Sequence, residues 1–368
     1  MKVAIVHDYL SQMGGAERVV VALHGLFPTA PIYTSIFDPA STWPELRTAD
    51  VRTTWMQRLP GMPTHFKKYL LLYPQAIEGL PLSGYDLVLS SSSAYAKGAR
   101  AGAGALHVCY CHNPMRFIWD YVRYVRGERV GAPARALLPL ARAYLRRWDL
   151  RTAGGPQAYI ANSSAVAERI RRYYGRSSEV IPPPVRLGPE PTGDPSGDYY
   201  LVVSRLSGYK RLDLAIEAFN RLGLPLLVVG DGPVRAALER EAGPHIRFLG
   251  RRPDQEVAAL YAGCRGLVVP GEEDFGITQV EANAAGRPVI AYAAGGALDI
   301  VVDGTTGILV PSQTVDAVVE GVRRAEATRW DARIIRGHAE RFGEGSFRLR
   351  LVAFLEGLLG RPLPPAGP

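Results

Sequence analysis

Short apolar runs rich in β-branched residues recur along the chain, and most are followed by a turn and an amphipathic helical pattern. Residues 2–7 (KVAIVH) predict a first strand, and residues 16–27 place apolar side chains at helical spacing. Further strands are predicted at residues 32–36, 87–90, 106–111 and 159–162. Strands that alternate with helices in this way indicate a parallel sheet covered on both faces.

The alternation stops at residues 182–195, which contain six prolines, and then begins again. Strands are predicted there at residues 199–204, 226–229, 246–249, 266–269, 289–291 and 307–310. We therefore expect one α/β domain at 1–187 and a second at 188–345. Residues 346–368 are expected to form a closing helix, for which packing back on the first domain is one option, and a flexible tail. Two such domains would create a cleft, and ligands of open parallel sheets bind beyond the carboxyl ends of the strands.

Composition and charge narrow the class of protein. Of the 368 residues, 47% are hydrophobic and 21% charged, which excludes a wholly disordered chain, a collagen-like chain and a disulfide scaffold. The formal net charge of +8 is uneven, since residues 1–185 carry +10 and residues 186–368 carry −2. The basic half is expected to face an anionic partner such as a phosphorylated substrate, an acidic membrane or nucleic acid. A generally solvated basic surface is the alternative.

The chain has three cysteines, and this small, odd count cannot form a disulfide framework. Cys109 and Cys111 lie beside His112, but no fourth metal ligand is near in sequence, so buried strand cysteines are favoured over a metal site. No apolar run approaches the ~20 residues of a membrane-spanning helix, and the amino-terminus leads directly into a strand. We therefore expect a cytoplasmic protein.

The densest polar cluster is PGEEDFGITQVEA at residues 270–282, between a predicted strand and a helix beginning near Gly276. Such a junction presents unpaired backbone N–H groups to the oxygens of a ligand. Glu273 and Glu281 are eight residues apart, which places one carboxylate in the loop and the other two turns into the helix. For Glu272 and Asp274, capping of the helix amino-terminus is an equally good interpretation.

Two further clusters also follow predicted strands. Arg205 and Lys210 flank a glycine loop and could clamp a diphosphate, although a solvated loop is the alternative. His112 follows the strand at 106–111, where a single histidine is more often a structural hydrogen-bonding group than a catalytic one. The dinucleotide fingerprint and the P-loop pattern are both missing, which disfavours a dehydrogenase or an NTPase.

Taken together, these motifs resemble the retaining GT-B glycosyltransferases of family 4 over nearly the whole chain. The resemblance rests on GGAER from Gly14, HNP from His112, Arg205 with Lys210, GDGP at 230–233, and the E-x7-E motif of Glu273 and Glu281. The stretches CYCHNPMRFIWD and EEDFGITQVEANAAGRPVIAY are similar to bacterial and archaeal mannosyltransferases of O-antigen and exopolysaccharide assembly, which use GDP-mannose. The implied fold is two Rossmann-like domains with parallel sheets facing across a cleft.

The resemblance also implies roles for individual residues. Its implied catalytic residues are His112, Arg205, Lys210 and Glu273. Its implied donor-binding residues are Gly14, Gly15, Arg205, Lys210, Phe275, Gly276, Ile277 and Glu281. Two cations that neutralise the diphosphate leave no need for a metal, and D-x-D is absent from the sequence. No cofactor is expected besides the nucleotide-sugar substrate, GDP-mannose.

The expected acceptor is a saccharide, lipid-linked as in many relatives of this family. One segment from Phe66 to Tyr73 and another from Arg135 to Arg151 combine cations with aromatic and aliphatic residues, as at an anionic bilayer surface. They suggest peripheral attachment to the inner face of the cell membrane, and amphipathic helices packed on the sheet are the alternative.

Competing hypotheses are a UDP-sugar-dependent enzyme of the same fold, a non-catalytic nucleotide-sugar-binding protein, and a nucleic-acid-binding protein. Base selection rests on a few loop contacts, so the sequence separates the two donors poorly. A protein that only binds need not keep all five of His112, Arg205, Lys210, Glu273 and Glu281. The basic excess lacks any recognised base-reading module, so no nucleic-acid partner is expected.

Overall fold

The computed structural model describes residues 1–62, 66–121, 132–188 and 197–363, without the side chains of 66, 67 and 132–137. The chain divides into two compact units. The first contains the described residues of 1–184 together with 347–363, and the second contains those of 185–346. The domain limits drawn from the sequence, at 187 and 345, stay predictions.

The first unit is built on a sheet of seven parallel strands in the order β3-β2-β1-β4-β5-β6-β7. The strands are β1 (Val3–His7), β2 (Ile32–Thr34), β3 (Val51–Thr53), β4 (Leu87–Ser92), β5 (Leu106–Cys111), β6 (Ala158–Ala161) and β7 (Glu179–Val180). The helices are α1 (Gly15–Leu26), α2 (Tyr73–Glu78), α3 (Arg116–Trp119), α4 (Ala132–Thr152) and α5 (Ser164–Tyr174).

The second unit is built on six parallel strands in the order β10-β9-β8-β11-β12-β13. The strands are β8 (Tyr200–Val203), β9 (Leu226–Val229), β10 (Ile246–Gly250), β11 (Gly266–Val269), β12 (Val289–Tyr292) and β13 (Gly307–Val310). The helices are α6 (Leu212–Leu222), α7 (Arg235–Glu241), α8 (Asp254–Gly263), α9 (Ile277–Ala284), α10 (Ala297–Ile300), α11 (Val315–Ala327), α12 (Ala332–Ala339) and α13 (Glu344–Leu359), the last of which extends into the first unit.

Apolar strands buried between helices form the cores of both units. All residues of β1, β4 and β11 are buried, as expected for strands of a parallel sheet with both faces covered. Helix α13 adds Phe347, Leu351 and Leu355 to the core of the first unit. The predicted fold class, two Rossmann-like domains with parallel sheets, is confirmed.

The strands predicted at 106–111, 226–229, 266–269 and 307–310 have those bounds in the structure. Two strands were missed, β3 and β7. Both are short edge strands with partly exposed side chains, so neither produces an apolar run in the sequence. Because the strands are parallel, the residues that follow them collect at one edge of each sheet.

Candidate functional site

The loop that follows β8 carries the two cations predicted to bind a diphosphate. A short 3₁₀ turn, Gly208–Lys210, ends this loop and directs Lys210 to Glu273, whose two carboxylate oxygens both accept hydrogen bonds from the Lys210 ammonium group. The side chains of Lys210 and Glu273 are 15% and 16% exposed, respectively. The side chain of Arg205 is exposed, and within the described ranges it makes no ion pair. The structure thus brings Lys210 and Glu273 together and leaves Arg205 facing solvent.

Glu273 lies in the loop between β11 and α9, and this loop is held by close backbone contacts. A Cβ atom at Gly271 would lie 2.6 Å from the carbonyl oxygen of Lys210, so only glycine permits this approach. The carbonyl oxygen of Glu273 accepts a hydrogen bond of 3.0 Å from the amide of Gly296. The carboxylate of Glu273 is therefore placed by its loop and by the ion pair with Lys210.

Helix α9 begins at Ile277 after Gly276, which has φ of 108° and occupies the N-cap position. Glu272 and Asp274 both precede the N-cap, so neither occupies that position, and their stabilisation of the helix amino-terminus stays a prediction. Glu281 lies in the second turn of the helix, where its carboxylate accepts a hydrogen bond of 3.1 Å from the hydroxyl of Tyr261. Tyr261, in α8, was not singled out from the sequence, since a single tyrosine in a helix gives no signal of its partner.

A second glycine turn follows β9 and packs on the loop of Arg205. Gly230 has φ of 127°, and a Cβ atom there would lie 1.9 Å from the carbonyl oxygen of Ser204. The amide of Leu206 donates a hydrogen bond of 3.0 Å to the carbonyl oxygen of Asp231. These contacts explain why the GDGP motif needs glycine, and they fix the backbone on both sides of Arg205.

In the first unit, Gly14 and Gly15 precede and begin α1. Gly14 has extended backbone and occupies the N-cap position. A Cβ atom on Gly14 would lie 2.6 Å from Oε2 of Glu17, which is itself only 1% exposed. The missing side chain at Gly14 therefore leaves room for the buried carboxylate of Glu17, a contact that the sequence did not predict.

His112 follows β5 and is buried. Its Nε2 atom lies 2.8 Å from Oγ of Ser91, and its carbonyl oxygen accepts a hydrogen bond of 2.9 Å from the side-chain amide of Asn162. The family resemblance implies that His112 supports the charge of the sugar through its carbonyl or its ring, and the carbonyl has a protein donor. The ring also has a partner, and the role of His112 stays a prediction.

His7 and Asp8, which end and follow β1, were missed from the sequence. The carboxylate of Asp8 accepts four backbone hydrogen bonds, of 2.6 to 2.9 Å, from residues 93–96. Burial lowers the pKa of His7, but the hydrogen bond and the negative charge of Glu17 raise it, and the net pKa lies above the ordinary value. The signal that could have identified these two residues is a histidine followed directly by an aspartate at the end of a predicted strand.

The cysteines are buried, as predicted, with Cys109 and Cys111 in β5. Burial raises the pKa of Cys109 and of Cys264 to about 12, which keeps these thiols protonated and unreactive. Within the described part of the chain, no three or more His, Cys, Asp or Glu residues are grouped as metal ligands.

The two segments predicted to contact a membrane lie partly in the described residues. In α4, Leu145 and Trp148 are buried in the core, whereas Leu140 is 72% exposed and Tyr144 and Leu150 are also exposed. Residues 66 and 67 and residues 132–137 have side chains outside the described set. None of the helices described here combines the length and the apolarity needed to cross a bilayer.

Two family models match the chain, one for each half. Residues 13–188 match Glycosyltransferase Family 4, and residues 191–345 match Glycosyl transferases group 1.

Among curated proteins, O-antigen chain mannosyltransferase C of Escherichia coli is 33% identical over 141 residues, 36% of this chain and 37% of that protein. The GDP-mannose-dependent alpha-(1-6)-phosphatidylinositol monomannoside mannosyltransferase of Mycolicibacterium smegmatis is 31% identical over 241 residues, 55% of this chain and 59% of that protein. The chain thus spans between 37% and 59% of the length of these two relatives.

Solved structures share the fold over almost the whole chain. Sucrose-phosphate synthase of Thermosynechococcus elongatus has a TM-score of 0.73 at 18% identity, with 98% of this chain and 100% of that chain covered. HepE of Anabaena, in complex with UDP and glucose, has a TM-score of 0.70 at 20% identity, with 97% and 99% covered. With glycosyltransferase models matching both halves and the fold shared along the chain, this protein is a glycosyltransferase with the GT-B fold, and its match to family 4 covers residues 13–188.

Proposed function

We propose that this protein transfers a hexosyl group, mannose from GDP-mannose, to a lipid-linked saccharide with retention of configuration. The observation that carries the proposal is the ion pair of Lys210 and Glu273, since this cation and this carboxylate are held together by glycine-dependent loops at the carboxyl ends of β8 and β11. Such loops are where parallel α/β sheets bind their ligands.

Lys210 and Arg205 bind the diphosphate of the donor and neutralise the charge that builds up as the nucleoside diphosphate leaves. Lys210 exchanges part of its contact with Glu273 for phosphate oxygens, and the exposed guanidinium of Arg205 closes on the same group. Glu281 accepts hydrogen bonds from the ribose hydroxyls. Glu273 and the amide groups of residues 275–277 orient the sugar, and His112 binds the sugar as it is transferred.

The reaction needs positioning and charge stabilisation more than a protein nucleophile. The acceptor hydroxyl attacks the anomeric carbon on the face that the diphosphate leaves, and a phosphate oxygen of the leaving group takes the hydroxyl proton. The C–O bond to phosphate breaks as the new glycosidic bond forms, so configuration is retained. Fixed cations stabilise the departing diphosphate in place of a metal ion.

The names of two relatives favour mannose as the transferred sugar. Proteins of Mycolicibacterium smegmatis and Corynebacterium glutamicum, 31% and 35% identical to parts of this chain, are named GDP-mannose-dependent mannosyltransferases. A UDP-sugar donor is the second candidate, because structures of HepE with the same fold contain UDP and UDP-glucose. The two candidates share the diphosphate site and differ in the base and the sugar.

A donor panel tests the proposal. Thermal unfolding of the wild type is followed with GDP-mannose, UDP-glucose, UDP-N-acetylglucosamine and the free nucleotides, because a ligand that binds the native state raises the midpoint. We expect GDP-mannose and GDP to raise it, with a smaller shift in Lys210→Ala. Transfer is then assayed with the donor that binds. A panel in which no ligand raises the midpoint contradicts the donor site.

Attachment to an anionic membrane is proposed from the exposed side chains of Leu140, Tyr144 and Leu150 on the otherwise basic helix α4. Pelleting with vesicles of neutral lipid and with vesicles containing acidic lipid tests this. We expect more protein to pellet with acidic vesicles, and less of a Leu140→Ser variant. Equal pelleting with both vesicle types contradicts the proposal.

A further inference from the structure

Four buried side chains of the first unit form a line of contacts that ends on His112. Oε1 of Glu17 lies 3.5 Å from Nε2 of His7. Nδ1 of His7 lies 3.0 Å from the carbonyl oxygen and 3.1 Å from Oγ of Ser91. Oγ of Ser91 in turn lies 2.8 Å from Nε2 of His112. We call these four residues the His7 chain. Each is 8% exposed or less.

The first step concerns the protons of His7. A carbonyl oxygen can only accept a hydrogen bond, so Nδ1 of His7 must carry a proton to contact the carbonyl of Ser91. The carboxylate of Glu17 faces the other ring nitrogen and favours a proton there as well. Both nitrogens of His7 are then donors, and its positive charge is balanced by Glu17.

The second step concerns the hydroxyl of Ser91. Since Nδ1 of His7 is a donor, Oγ of Ser91 accepts from His7 and cannot donate to it. The hydroxyl proton is not used toward His7 and remains available for Nε2 of His112, at 2.8 Å. An Nε2 atom that accepts carries no proton, so the single proton of a neutral His112 ring lies on Nδ1.

We propose that Glu17, His7 and Ser91 are positioning residues that hold His112 as a neutral ring with its proton on Nδ1. The consequence for catalysis rests on the proposed function, in which His112 contacts the transferred sugar. A neutral ring can donate a hydrogen bond to a sugar oxygen without adding positive charge beside an anomeric carbon that itself becomes positive. The positive charge lies instead on His7, which is linked to His112 through Ser91, and this charge is paired with Glu17.

The protein contains a matched control for this arrangement. Ser90, the neighbour of Ser91 in β4, is also fully buried, and its Oγ lies 2.8 Å from Nε2 of another histidine, His107. Successive residues of a strand point to opposite faces, so this second pair is separate from His112. Ser90→Ala and Ser91→Ala remove the same atom from the same strand, and only Ser91→Ala breaks the His7 chain.

The direct test is the protonation pattern of His112 in protein labelled with ¹⁵N-histidine. Nuclear magnetic resonance distinguishes a protonated from an unprotonated ring nitrogen, and the resonances of His112 are assigned as those lost in His112→Gln. At pH 7 we expect Nδ1 of His112 to carry the proton and Nε2 to be unprotonated. A proton on Nε2, or on both nitrogens, overturns the proposal without any need for a variant of the His7 chain.

The variants test which residues fix the pattern. In Ser91→Ala we expect the proton of His112 to shift at least partly to Nε2, whereas Ser90→Ala should leave the pattern of His112 unchanged. In Glu17→Gln we expect His7 to lose one of its two protons at pH 7. A wild-type pattern of His112 in Ser91→Ala, or of His7 in Glu17→Gln, overturns the proposal.

The catalytic consequence is measured separately. We expect Ser91→Ala to lower kcat for sugar transfer by between about 10- and 100-fold, because the reacting groups remain but are less well oriented. KM for the donor should change by less than about twofold, since the contacts that bind the donor equally well in the ground state and in the transition state are unchanged. Ser90→Ala should keep the wild-type kcat.

An unchanged kcat in Ser91→Ala overturns the link between the ring proton and transfer. A wild-type protein that transfers no sugar from any donor contradicts the proposed function instead, and the resonance measurements then decide the inference alone.

Discussion

The loops at the carboxyl ends of the two sheets differ in how they hold charged groups. In the second unit, Lys210 and Glu273 form a partly exposed ion pair, and Arg205 in the same loop as Lys210 is exposed. In the first unit, Glu17 and His7 are buried and are linked through Ser91 to His112. The same position in a parallel sheet therefore carries solvent-accessible cations in one unit and buried hydrogen-bonding groups in the other.

The difference follows from solvent exposure. The side chains of Lys210 and Glu273 keep 15% and 16% of their surface exposed, so a phosphate can reach the ammonium group and replace one charged partner with another. Buried groups must keep their partners, because an unpaired buried charge is expensive. The second unit is thus suited to binding an anionic ligand, and the first to fixing the orientation of a ring. Four predictions test this contrast.

The largest effect is expected for Lys210→Ala. Loss of the ammonium group removes charge stabilisation of the leaving diphosphate and should lower kcat/KM for transfer by about 1,000-fold. Steady-state kinetics with the donor identified by the panel measure it. Arg221→Ala is the control, because Arg221 is also paired with a carboxylate in this unit but lies on the exposed side of α6. If Lys210→Ala is as active as Arg221→Ala, Lys210 is not part of the donor site.

The next effect concerns stability in the first unit. Burial lowers the pKa of His107 from 6.5 to about 4, so between these values the unfolded chain binds a proton that the folded one does not. The free energy of unfolding should therefore fall as the pH falls from about 6.5 to about 4, by up to about 3 kcal/mol for this group. His7 has a raised pKa, so its contribution is fully present at low pH and is lost as the pH rises through that value.

Urea titrations between pH 4 and 7 compare the wild type with His107→Gln, whose amide can still contact Ser90. The variant should lose part of the decrease in stability at acidic pH. Parallel curves for the two proteins would show that His107 is not buried in a neutral form.

A smaller effect is expected for Glu281→Gln. Replacing one carboxylate oxygen weakens charge-assisted hydrogen bonds to the donor, so KM for the donor should rise by between about 10- and 100-fold with kcat nearly unchanged. Glu320→Gln, at an exposed position of α11, is the control. A fall in kcat at constant KM would assign Glu281 to the chemical step instead of to donor binding.

The smallest effect is expected for Tyr261→Phe. The hydroxyl of Tyr261 donates a hydrogen bond to Glu281, and loss of one such bond costs about 1 kcal/mol, or about fivefold in donor KM. In the Glu281→Gln background the same substitution should have less effect, because the two residues act through one contact. Full additivity of the two substitutions would show that Tyr261 does not act through Glu281.

Sequence patterns located the elements that carry the site, because buried parallel strands and their glycine turns leave local signals. The run at 266–269 followed by GEEDFG predicted a strand, a loop and a helix start near Gly276, and the structure has them there. Edge strands such as β3 gave no signal, since exposed side chains do not follow an apolar pattern.

Contacts between distant positions were missed for a different reason. Ser91 lies 84 residues from His7, and Asp8 lies more than 80 residues from the amides that it binds. Neither partner is unusual in its own neighbourhood, so local reasoning could not pair them. Asn162, which donates to the carbonyl of His112, is a similar case.

By itself, the sequence determined two α/β domains, the positions of Lys210, Glu273 and His112 in loops that follow strands, and that of Glu281 in the helix after such a loop, because hydrophobic periodicity and turn chemistry are local properties. Only the tertiary structure decided that Lys210 faces Glu273 and that His112 is tied to His7 through Ser91. Strand order and register create those contacts: β4 pairs with β1 and places Ser91 beside His7. That pairing depends on the folding of the whole sheet, which no short stretch of sequence encodes.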